Sequence, residues 1–444
     1  MTGWVNDSIN ESPLIPLFQR GKLVSFLLKG GNVVPPFRKG GKGGFEKGYF
    51  RMNEFLGELN ELRDSYLLRM LKRVDSSQSS RIVIGEKEYI NLCSNNYLGL
   101  ANHPSLKKAS ITAVKKYGTG AGASRLVSGN MEIHERLERV TAEFKGTEDA
   151  LLFNTGYMAN TGLIQAIASE GDAIFSDELN HASIIDGCRL SRASVFIYRH
   201  RDAGHLRSLI LQTTEKNNRA FRRRIVITES VFSMDGDIAP LTDIVKTAEE
   251  FDAVLIVDDA HATGVLGRSG RGSFEHFGIT GRPHIQMGTY SKALGSFGAY
   301  VAGTTLLKDY LINKARGFIY TTALPPSVTA ASIAAIGVLQ EDSGLLERLW
   351  ENTKQFKDGL RTLGYNTMDS ETPIIPVYTG DIGKTLLFAQ KLFEEGVFAA
   401  PIRPPTVPEG RCRIRTTVTA AHSSEDIEQC IEVFKRAGRE LRLI

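Results

Sequence analysis

Cysteine is scarce in this chain of 444 residues, and its four cysteines lie far apart. Cys93, Cys188, Cys412 and Cys430 form no C-x-x-C pair, so neither a metal site nor a redox dithiol is expected. Lone cysteines in a chain of this length are typical of reduced thiols in a cytoplasmic protein. No apolar run approaches the roughly 20 residues of a membrane-spanning helix, and no signal peptide is recognisable.

The chain also has little net charge, and its excess is confined to the N-terminus. The formal charge is +4, but residues 1–51 hold eight basic and three acidic residues, against 46 basic and 47 acidic in the rest. The body therefore gives no reason to expect a nucleic-acid partner. Residues 1–51 also hold nine glycines and show no helical or strand periodicity. We interpret them as a disordered tail or a spurious extension from a start codon chosen too early, the alternative being a basic arm for an anionic partner.

Beyond about residue 90, short apolar runs alternate with segments of helix length. The runs lie at 150–153, 173–175, 195–198, 225–228, 253–257 and 299–302. One intervening segment places Ile133, Leu137, Val140 and Phe144 on a single helical face. The alternation predicts an α/β fold, with a mostly parallel central sheet and helices on both faces. In such sheets ligands bind at the carboxyl ends of the strands.

The C-terminal third has a different pattern. A composition change at Pro325-Pro326 precedes one long helical stretch to about residue 360, and strands are expected at 374–377 and 413–415. Ser423 and Asp426 have the spacing of a capping box before a final amphipathic helix. We therefore divide the chain into residues 1–51, an N-terminal segment 52–95 whose helix starts near Met52, a large cofactor-binding domain 96–330 and a small α+β domain 331–444.

The strongest chemical signal is a lysine, Lys292, in the sequence Gly-Thr-Tyr-Ser-Lys-Ala-Leu-Gly at 288–295. Asp258 and His261 directly follow the apolar run 253–257. An amine, hydroxyls, a carboxylate and an imidazole at neighbouring strand ends are the groups that pyridoxal phosphate requires. The amine binds the cofactor covalently, and the acid pairs with the pyridinium nitrogen. A buried carboxylate needs such a cationic partner, so the sequence predicts an enzyme that uses pyridoxal phosphate.

Other interpretations account for fewer of these residues. Taken singly, Lys292 reads as a surface lysine, Asp258 as a helix cap and His261 as a structural histidine. The glycines at 118–122 do not have the G-x-G-x-x-G spacing and follow no clear strand, which argues against a nicotinamide oxidoreductase. A Ser-Lys hydrolase built on Ser291 leaves the aspartate and the histidine without a role.

Six motifs occur together in the order typical of the α-oxoamine synthases, a family of fold-type-I pyridoxal-phosphate transferases. They lie at 93–100, 177–183, 231–236, 258–261, 289–292 and 419–422. The chain resembles this family over about residues 54–444. One departure is Ala262, where the family usually has glycine.

The resemblance implies a role for each matching residue. Four are catalytic: the covalent lysine, the ring-stacking histidine, the partner of the pyridine nitrogen and a contact to the ring hydroxyl region, which are Lys292, His181, Asp258 and His261. Further cofactor contacts are Ser233, Gly156, Tyr157 and Thr289, together with Thr321 and Thr322, which would reach the phosphate of the partner subunit in a homodimer. The substrate contacts are Arg415, which binds the amino-acid carboxylate, Asn95, Thr406, Arg69 and His181.

The implied reaction is a Claisen-type condensation of an amino acid with an acyl thioester, followed by decarboxylation. Segments 154–160 and 400–408 resemble the branch of the family that makes 8-amino-7-oxononanoate in biotin biosynthesis, from L-alanine and a pimeloyl thioester of CoA or acyl carrier protein. Segment 437–441 resembles the branch that joins glycine to acetyl-CoA to give 2-amino-3-ketobutyrate, which is the alternative. A further alternative, an inactive binding paralogue, conflicts with the presence of Lys292.

Overall fold

The computed structural model describes residues 45–216, 221–280 and 284–444. The strands are β1 (Arg81–Ile84), β2 (Lys87–Asn91), β3 (Asp149–Phe153), β4 (Ala173–Asp177), β5 (Ser194–Tyr198), β6 (Arg224–Glu229), β7 (Val254–Asp258), β8 (Ile285–Thr289), β9 (Ala299–Gly303), β10 (Ile374–Gly380), β11 (Val397–Phe398), β12 (Ala400–Ile402) and β13 (Cys412–Thr417). The helices are α1 (Phe45–Asp64), α2 (Pro104–Tyr117), α3 (Glu132–Lys145), α4 (Gly156–Ile167), α5 (Ala182–Ser191), α6 (Ala203–Lys216), α7 (Leu241–Glu250), α8 (Ser273–His276), α9 (Thr305–Lys314), α10 (Arg316–Ile319), α11 (Pro326–Glu341), α12 (Gly344–Thr362), α13 (Ile382–Glu394) and α14 (Ser424–Glu440).

The largest sheet in the described part of the chain runs in the order β3-β9-β8-β7-β6-β4-β5. Strands β8, β7, β6, β4 and β5 are parallel neighbours. Strand β9 is antiparallel to both β8 and β3. Each apolar run that the sequence marked as a strand forms one strand of this sheet. The predicted α/β fold with a mostly parallel central sheet is therefore confirmed.

The middle positions of β7 are apolar because both faces of this strand are buried. Leu255 and Val257 of β7 pack in one cluster with Ile244 of α7. The residue between them, Ile256, packs on the other face with Leu163 of α4. Successive side chains of a strand point to opposite faces, so a strand covered by helices on both sides is mostly apolar, and its polar residues lie near its ends.

The predicted apolar face of α3 is buried, as expected. Leu137 and Phe144 are buried in a cluster with Tyr300 of β9. Ile133 packs in a smaller cluster with Ala330 of α11. This part of the chain thus covers the sheet with the apolar stripe that the sequence indicated.

The C-terminal region contains a second sheet, in which β13 lies between β10 and β12 and is antiparallel to both. Phe356 of α12, Phe388 of α13 and Phe434 of α14 pack in one cluster with this sheet. Helix α14 starts with the predicted capping box, in which Ser423 accepts from the Asp426 amide and Asp426 accepts from the Ser423 amide. In the small third sheet, β1-β2-β11, strand β11 pairs with β2, which precedes the large sheet in the sequence.

One element differs from its prediction. The single helical stretch expected from residue 325 to about 360 is two helices, α11 and α12. The Asp342 carboxylate accepts a hydrogen bond from the Gly344 amide at 3.0 Å, which turns the chain between the end of α11 and the start of α12. Aspartate and glycine both disfavour a helix interior, which explains the break.

The N-terminus is described only in part. The chain divides into two compact units, Met1–Leu62 and Arg63–Ile444. Helix α1 includes Met52 but begins seven residues earlier, at Phe45. We interpreted residues 1–51 as a disordered or spurious extension, and residues 1–44 of that segment lie outside the described residues. The division at 95 and 330 into segments and domains also stays a prediction. No helix in the described ranges is long and apolar enough to cross a membrane.

A chain that begins at Met52 is expected to melt and turn over like the full-length chain. The reason is that residues 1–51 carry the charge excess without any periodic apolar face that would pack on a core. Thermal unfolding and steady-state kinetics of the two chains, measured side by side, check this. A clear loss of melting temperature or turnover on truncation would make the extension a working part of the protein.

Candidate active site

The polar residues that follow the central strands meet at one edge of the sheet. Glu229 at the end of β6 is the registered neighbour of Asp258 at the end of β7. Asp258 is in turn the registered neighbour of Met287 in β8, five residues before Lys292. Parallel strands place their carboxyl ends at the same edge, so the lysine and the aspartate predicted to act together come from adjacent strands.

Lys292 is half-buried beside this edge. Burial lowers the pKa of its amine below the ordinary value, and the positive charge of Arg415 acts in the same direction. The carboxylates of Asp258 and Glu229 oppose this shift. A lysine with a lowered pKa is more often neutral, and only the neutral amine is a nucleophile or a base.

Asp258 is buried and held by two hydrogen bonds. Its Oδ2 accepts from Asn160 Nδ2 at 2.8 Å, and its Oδ1 accepts from the Ala260 amide at 2.9 Å. Asn160 Nδ2 also donates to Ser183 Oγ at 2.9 Å. Within the described ranges Asp258 makes no ion pair, so a buried carboxylate here lacks a cationic partner in direct contact.

Glu229 differs electrostatically from its neighbour. Burial and the charge of Asp258 raise the pKa of Glu229 well above its ordinary value. Both effects favour the protonated form of Glu229, because two adjacent buried carboxylates repel each other when both are charged.

The two predicted histidines lie in this site and are both neutral. Burial lowers the pKa of His181, which caps α5, and lowers that of His261 to well below its ordinary value. The hydroxyl of Tyr97 lies 2.8 Å from His261 Nδ1. Burial raises the pKa of Tyr97 to about 12, so this hydroxyl keeps its proton. A phenol both donates and accepts, so the direction of this bond depends on which ring nitrogen of His261 carries the proton.

Arg415 is fixed by two bonds from its guanidinium. Nε donates to the Ser233 carbonyl at 2.6 Å, and Nη2 donates to Asn95 Oδ1 at 3.0 Å. The three residues come from β13, from the turn after β6 and from the segment after β2. The charge of Arg415 lowers the pKa of both His261 and Lys292, which places the guanidinium within electrostatic reach of the lysine. The structure thus brings together the predicted carboxylate-binding residues and the predicted covalent lysine.

The start of α4 forms the end of the site at which a phosphate is expected. Thr155 is the N-cap and accepts from the Met158 amide at 3.1 Å. The amides of Gly156 and Tyr157 lie in the first turn, where helix N–H groups lack partners within the helix and attract anions. Thr289 Oγ1 lies 2.6 Å from Ser291 Oγ at the end of β8.

Thr321 contacts Asn154 of its own chain, directly after the end of β3. Asn154 Nδ2 donates to Thr321 Oγ1 at 3.1 Å and to the Thr322 carbonyl at 2.8 Å. The expectation that Thr321 and Thr322 reach the phosphate of a partner subunit stays a prediction.

The remaining substrate residues form a separate small group. Arg69 Nη2 donates to Thr406 Oγ1 at 3.3 Å. Arg403 donates to the carbonyls of Tyr66 and Leu68, both at 2.8 Å. The structure therefore joins the segment before β1 to the loop after β12, as expected if both contribute to one substrate contact. The charge of Arg69 also lowers the pKa of Arg403, although burial is the larger cause.

Sequence reasoning gave no role to three residues that shape the site: Tyr97, Asn160 and Glu229. Each lies in or beside a segment that the sequence analysis had marked: Tyr97 in 93–100, Asn160 in 154–160, and Glu229 directly after the apolar run 225–228. The signal that could have raised Asn160 is its spacing, one helical turn after Gly156 on the first strand-to-helix connection.

These residues fit pyridoxal phosphate. The buried Asp258 carboxylate has hydrogen bonds but no cation, which a pyridinium nitrogen supplies. The free amides at the start of α4 suit the phosphate group. The partly buried amine of Lys292 suits covalent attachment. One edge of the sheet thus offers all three of the contacts that the cofactor needs.

The sequence matches the family "Aminotransferase class I and II" over residues 87–434, more than half of the chain. The 8-amino-7-oxononanoate synthase of Geotalea daltonii is 53% identical over 392 residues, which cover 88% of this chain and 99% of that protein. The 8-amino-7-oxononanoate synthase of Thermoanaerobacter pseudethanolicus is also 53% identical, with 88% and 98% covered.

Solved structures with the same fold include two serine palmitoyltransferases. That of Sphingomonas wittichii has a TM-score of 0.82 and 32% identity, covering 89% of this chain and 98% of that one. That of S. paucimobilis, with pyridoxal phosphate and myriocin bound, has a TM-score of 0.82 and 31% identity, covering 89% and 99%. An 8-amino-7-oxononanoate synthase from Francisella tularensis has a TM-score of 0.67 and 28% identity, covering 80% and 99%. These findings confirm the resemblance drawn from the motifs and the fold-type-I architecture.

Proposed function

This chain belongs to the aminotransferase class I and II family, and on that premise we propose that it is a pyridoxal-phosphate-dependent acyltransferase that makes 8-amino-7-oxononanoate for biotin biosynthesis. Its substrates are L-alanine and a pimeloyl thioester, which condense with loss of carbon dioxide. The observation that carries the proposal is that Asp258 ends β7, Lys292 follows the adjacent strand β8, and the two residues interact electrostatically. The names of relatives about half identical over most of the chain support the product.

The cofactor, when bound, supplies a positively charged ring that accepts the electron pair left on the amino-acid α-carbon. We assign the other tasks to residues of this chain. Asp258 pairs with the ring nitrogen and keeps it protonated, since its buried carboxylate has hydrogen bonds but no cation in direct contact among the described residues. His181 stacks on the ring, and His261 and Ser233 contact the region of its hydroxyl. Gly156, Tyr157 and Thr289 hold the phosphate.

Lys292 has two tasks in this proposal. It first binds the cofactor covalently, and once the amino acid has displaced it, its amine takes the α-proton. Both tasks need the neutral amine, and burial provides it by lowering the pKa. The same amine then holds the proton that returns to the product after decarboxylation.

Arg415 orients the amino acid. Two of its five N–H groups donate to Ser233 and Asn95, and we assign a further N–H group to the substrate carboxylate. A guanidinium held by two protein bonds presents a fixed fork, which a lysine at this position does not imitate. Fixing the carboxylate also fixes the direction of the α C–H bond relative to the ring. Arg69 and Thr406 are assigned to the acyl substrate.

We expect L-alanine with a pimeloyl thioester to exceed glycine with acetyl-CoA in kcat/KM by at least about tenfold. A clamp on the amino-acid carboxylate distinguishes alanine from glycine by only one methyl group, so most of the discrimination comes from the acyl chain. The loop at 400–408, which resembles that of the oxononanoate branch, and the nearby Arg69 meet the distal carboxylate of the acyl chain. Steady-state kinetics with both substrate pairs, each carried on CoA, measure the ratio.

The same panel tests the runner-up. Faster turnover of glycine with acetyl-CoA would make the chain a 2-amino-3-ketobutyrate CoA ligase instead. Pimeloyl-CoA compared with pimeloyl acyl carrier protein then identifies the carrier. If the protein binds the cofactor but turns over none of the substrate pairs, the chain is an inactive binding paralogue.

We also propose that the enzyme is a homodimer with shared active sites. Val127 is 80% exposed and Tyr320 is 70% exposed, although both are apolar or aromatic. The segments that carry them are adjacent, because the Ala323 amide donates to the Ala123 carbonyl at 2.9 Å. An apolar surface of this kind is typical of a subunit interface. It also borders Thr321, which is expected to reach the phosphate of the partner subunit.

Val127→Glu is expected to convert the dimer into a monomer and to weaken cofactor retention, since a charge on an apolar interface is not solvated there. Sedimentation velocity and gel filtration with cofactor absorbance measure both effects. Leu306→Glu, at an equally exposed position in the first turn of α9, is the matched control and should stay dimeric. A monomeric wild type, or a Val127→Glu dimer, would contradict the proposal.

We place the enzyme in the cytoplasm. All four cysteines are free, and three of them are buried. Unpaired buried thiols are typical of a reducing compartment. Cell fractionation checks this, and recovery with the membrane or periplasmic fraction would contradict it.

A further inference from the structure

His200, between β5 and α6, lies between two carboxylates. Its Nδ1 is 2.9 Å from Asp177 Oδ1, and its Nε2 is 2.8 Å from Asp237 Oδ2. An ionised carboxylate only accepts hydrogen bonds, so both ring nitrogens must donate. The side chain is 19% exposed, and Asp177 and Asp237 are nearly or fully buried. The geometry therefore holds a doubly protonated imidazolium.

Asp177 controls the loop that carries His181. This aspartate ends β4, and its Oδ1 also accepts from the Leu179 amide at 2.9 Å. Asn180 continues the loop and donates to the Ile227 carbonyl at 2.9 Å. His181 follows as the N-cap of α5. The position of the ring-stacking histidine thus depends on where Asp177 is held.

Asp237 closes the turn that carries Ser233. Its carbonyl accepts from the Phe232 amide at 3.1 Å, and the Gly236 amide donates to the Phe232 carbonyl at 2.8 Å. Gly236 has a φ of 70°, a conformation that favours glycine. The carbonyl of Ser233 is the acceptor for Arg415 Nε. This turn therefore sets the position of both a cofactor contact and the substrate-binding guanidinium.

We propose that His200 is a positioning residue, whose imidazolium joins the loop 177–181 to the turn 231–238 and thereby fixes His181 and Ser233 relative to each other. The inference rests on the proposed function, because those two residues matter as cofactor contacts. His200 itself acts only through the two aspartates. Without the cation, Asp177 keeps only hydrogen bonds from backbone amides and Asp237 keeps only Arg201, so no side chain in the described ranges links the loop to the turn.

The charges around His200 favour its protonated form. Burial alone would lower its pKa, but the hydrogen bonds and charges of Asp177 and Asp237 outweigh burial and raise it to about 9. Glu178 accepts from the His200 amide, and Arg201 lies beside it, paired with Asp237 and with Glu371. A histidine whose pKa rises on folding stabilises the fold fully below its ordinary pKa of about 6.5. That contribution is lost as the pH rises through about 9.

His200→Gln tests the inference, with His205→Gln as its matched control. Glutamine donates to one aspartate only and turns its carbonyl toward the other. His205 is five residues away, and its Nδ1 accepts from the Arg199 amide, a bond that glutamine keeps. We expect His200→Gln to raise the dissociation constant for pyridoxal phosphate at least about tenfold. The His205→Gln value should stay within about twofold of the wild type. Absorbance titration of the apoenzyme measures both.

His200→Arg separates positioning from mere stabilisation. Arginine can donate to both carboxylates and stays charged at high pH. We expect it to restore cofactor affinity at pH 7, and to remove the weakening that the wild type shows as the pH rises through about 9. Unchanged affinity in His200→Gln from pH 7 to pH 10, or a lowered melting temperature with unchanged affinity, would overturn the inference. A wild type that binds no cofactor would instead overturn the proposed function.

Discussion

Replacement of Lys292 with alanine is expected to lower kcat by at least about a thousandfold and to remove the visible absorbance of the bound cofactor. The lysine amine both attaches the cofactor and moves the α-proton, so a methyl group at this position removes two functions together. No other lysine replaces it, because the position at the end of β8 next to Asp258 is set by the sheet. Borohydride reduction of the wild type should fix the cofactor to Lys292, as peptide mass mapping can show.

The matched control is Lys384→Ala. Lys384 is exposed on α13, and its backbone amide, not its side chain, bonds to the helix cap Asp381. Its removal should leave turnover and absorbance unchanged. Full turnover by Lys292→Ala, or a cofactor fixed to a different lysine, would refute the assignment of this residue.

Replacement of Lys145 with methionine is expected to lower the free energy of unfolding by about 3–5 kcal/mol. Lys145 Nζ lies 2.8 Å from Asp259 Oδ2, and neither side chain is exposed. Asp259 Oδ1 also accepts from Ser230 Oγ at 2.7 Å and from Ser273 Oγ at 2.5 Å. Methionine has a similar size but leaves the aspartate charge buried without a cation. The chemical-denaturation midpoint of the apoenzyme, with its slope, measures the loss.

Lys354→Met is the control for that variant. Lys354 Nζ lies 2.8 Å from Asp358, as short as the buried pair, but its side chain is 79% exposed. Water solvates both charges there, so the loss should be no more than about 0.5 kcal/mol. Equal losses in the two variants would show that burial does not decide the strength of the Lys145–Asp259 pair.

The Lys145 pair also connects stability with the active site. Asp259 follows Asp258 directly, and its amide donates to the Met287 carbonyl at 2.7 Å. The buried ion pair therefore anchors the end of β7 at which the predicted partner of the cofactor nitrogen lies. We expect Lys145→Met to lower the affinity for the cofactor only if the loss of the ion pair displaces the end of β7.

Local pattern was enough to predict most elements of the fold. A strand buried on both faces is mostly apolar, so runs such as 253–257 predict β7 and its neighbours without knowledge of their partners. The capping box at Ser423 and the apolar face of α3 are likewise local, because they depend on residues three or four apart. The strand ends and motifs also placed Lys292 and Asp258 on adjacent connections.

Contacts between distant residues were decided only by the tertiary structure. Asn160 holds Asp258 across 98 positions, Tyr97 meets His261 across 164, and Arg415 meets Asn95 across 320. The spacing of apolar residues does not predict such pairs, because it shows only which side of a helix or strand is buried. The antiparallel direction of β9 could not be predicted, because an apolar run does not show in which direction its strand runs. The break between α11 and α12 was also missed, because a local turn at Asp342 competes with continuation of the helix.

The ionisation states likewise required the packed structure. From sequence, Glu229 and Asp258 are two similar acids at strand ends, and His200 is one of nine histidines. Packing raises the pKa of Glu229 beside Asp258 and the pKa of His200 between two aspartates, while it lowers the pKa of His261. The sequence by itself thus determined which elements form and where the chemistry lies. Folding decided the charges, because a pKa depends on burial and on neighbouring charges that only packing brings together.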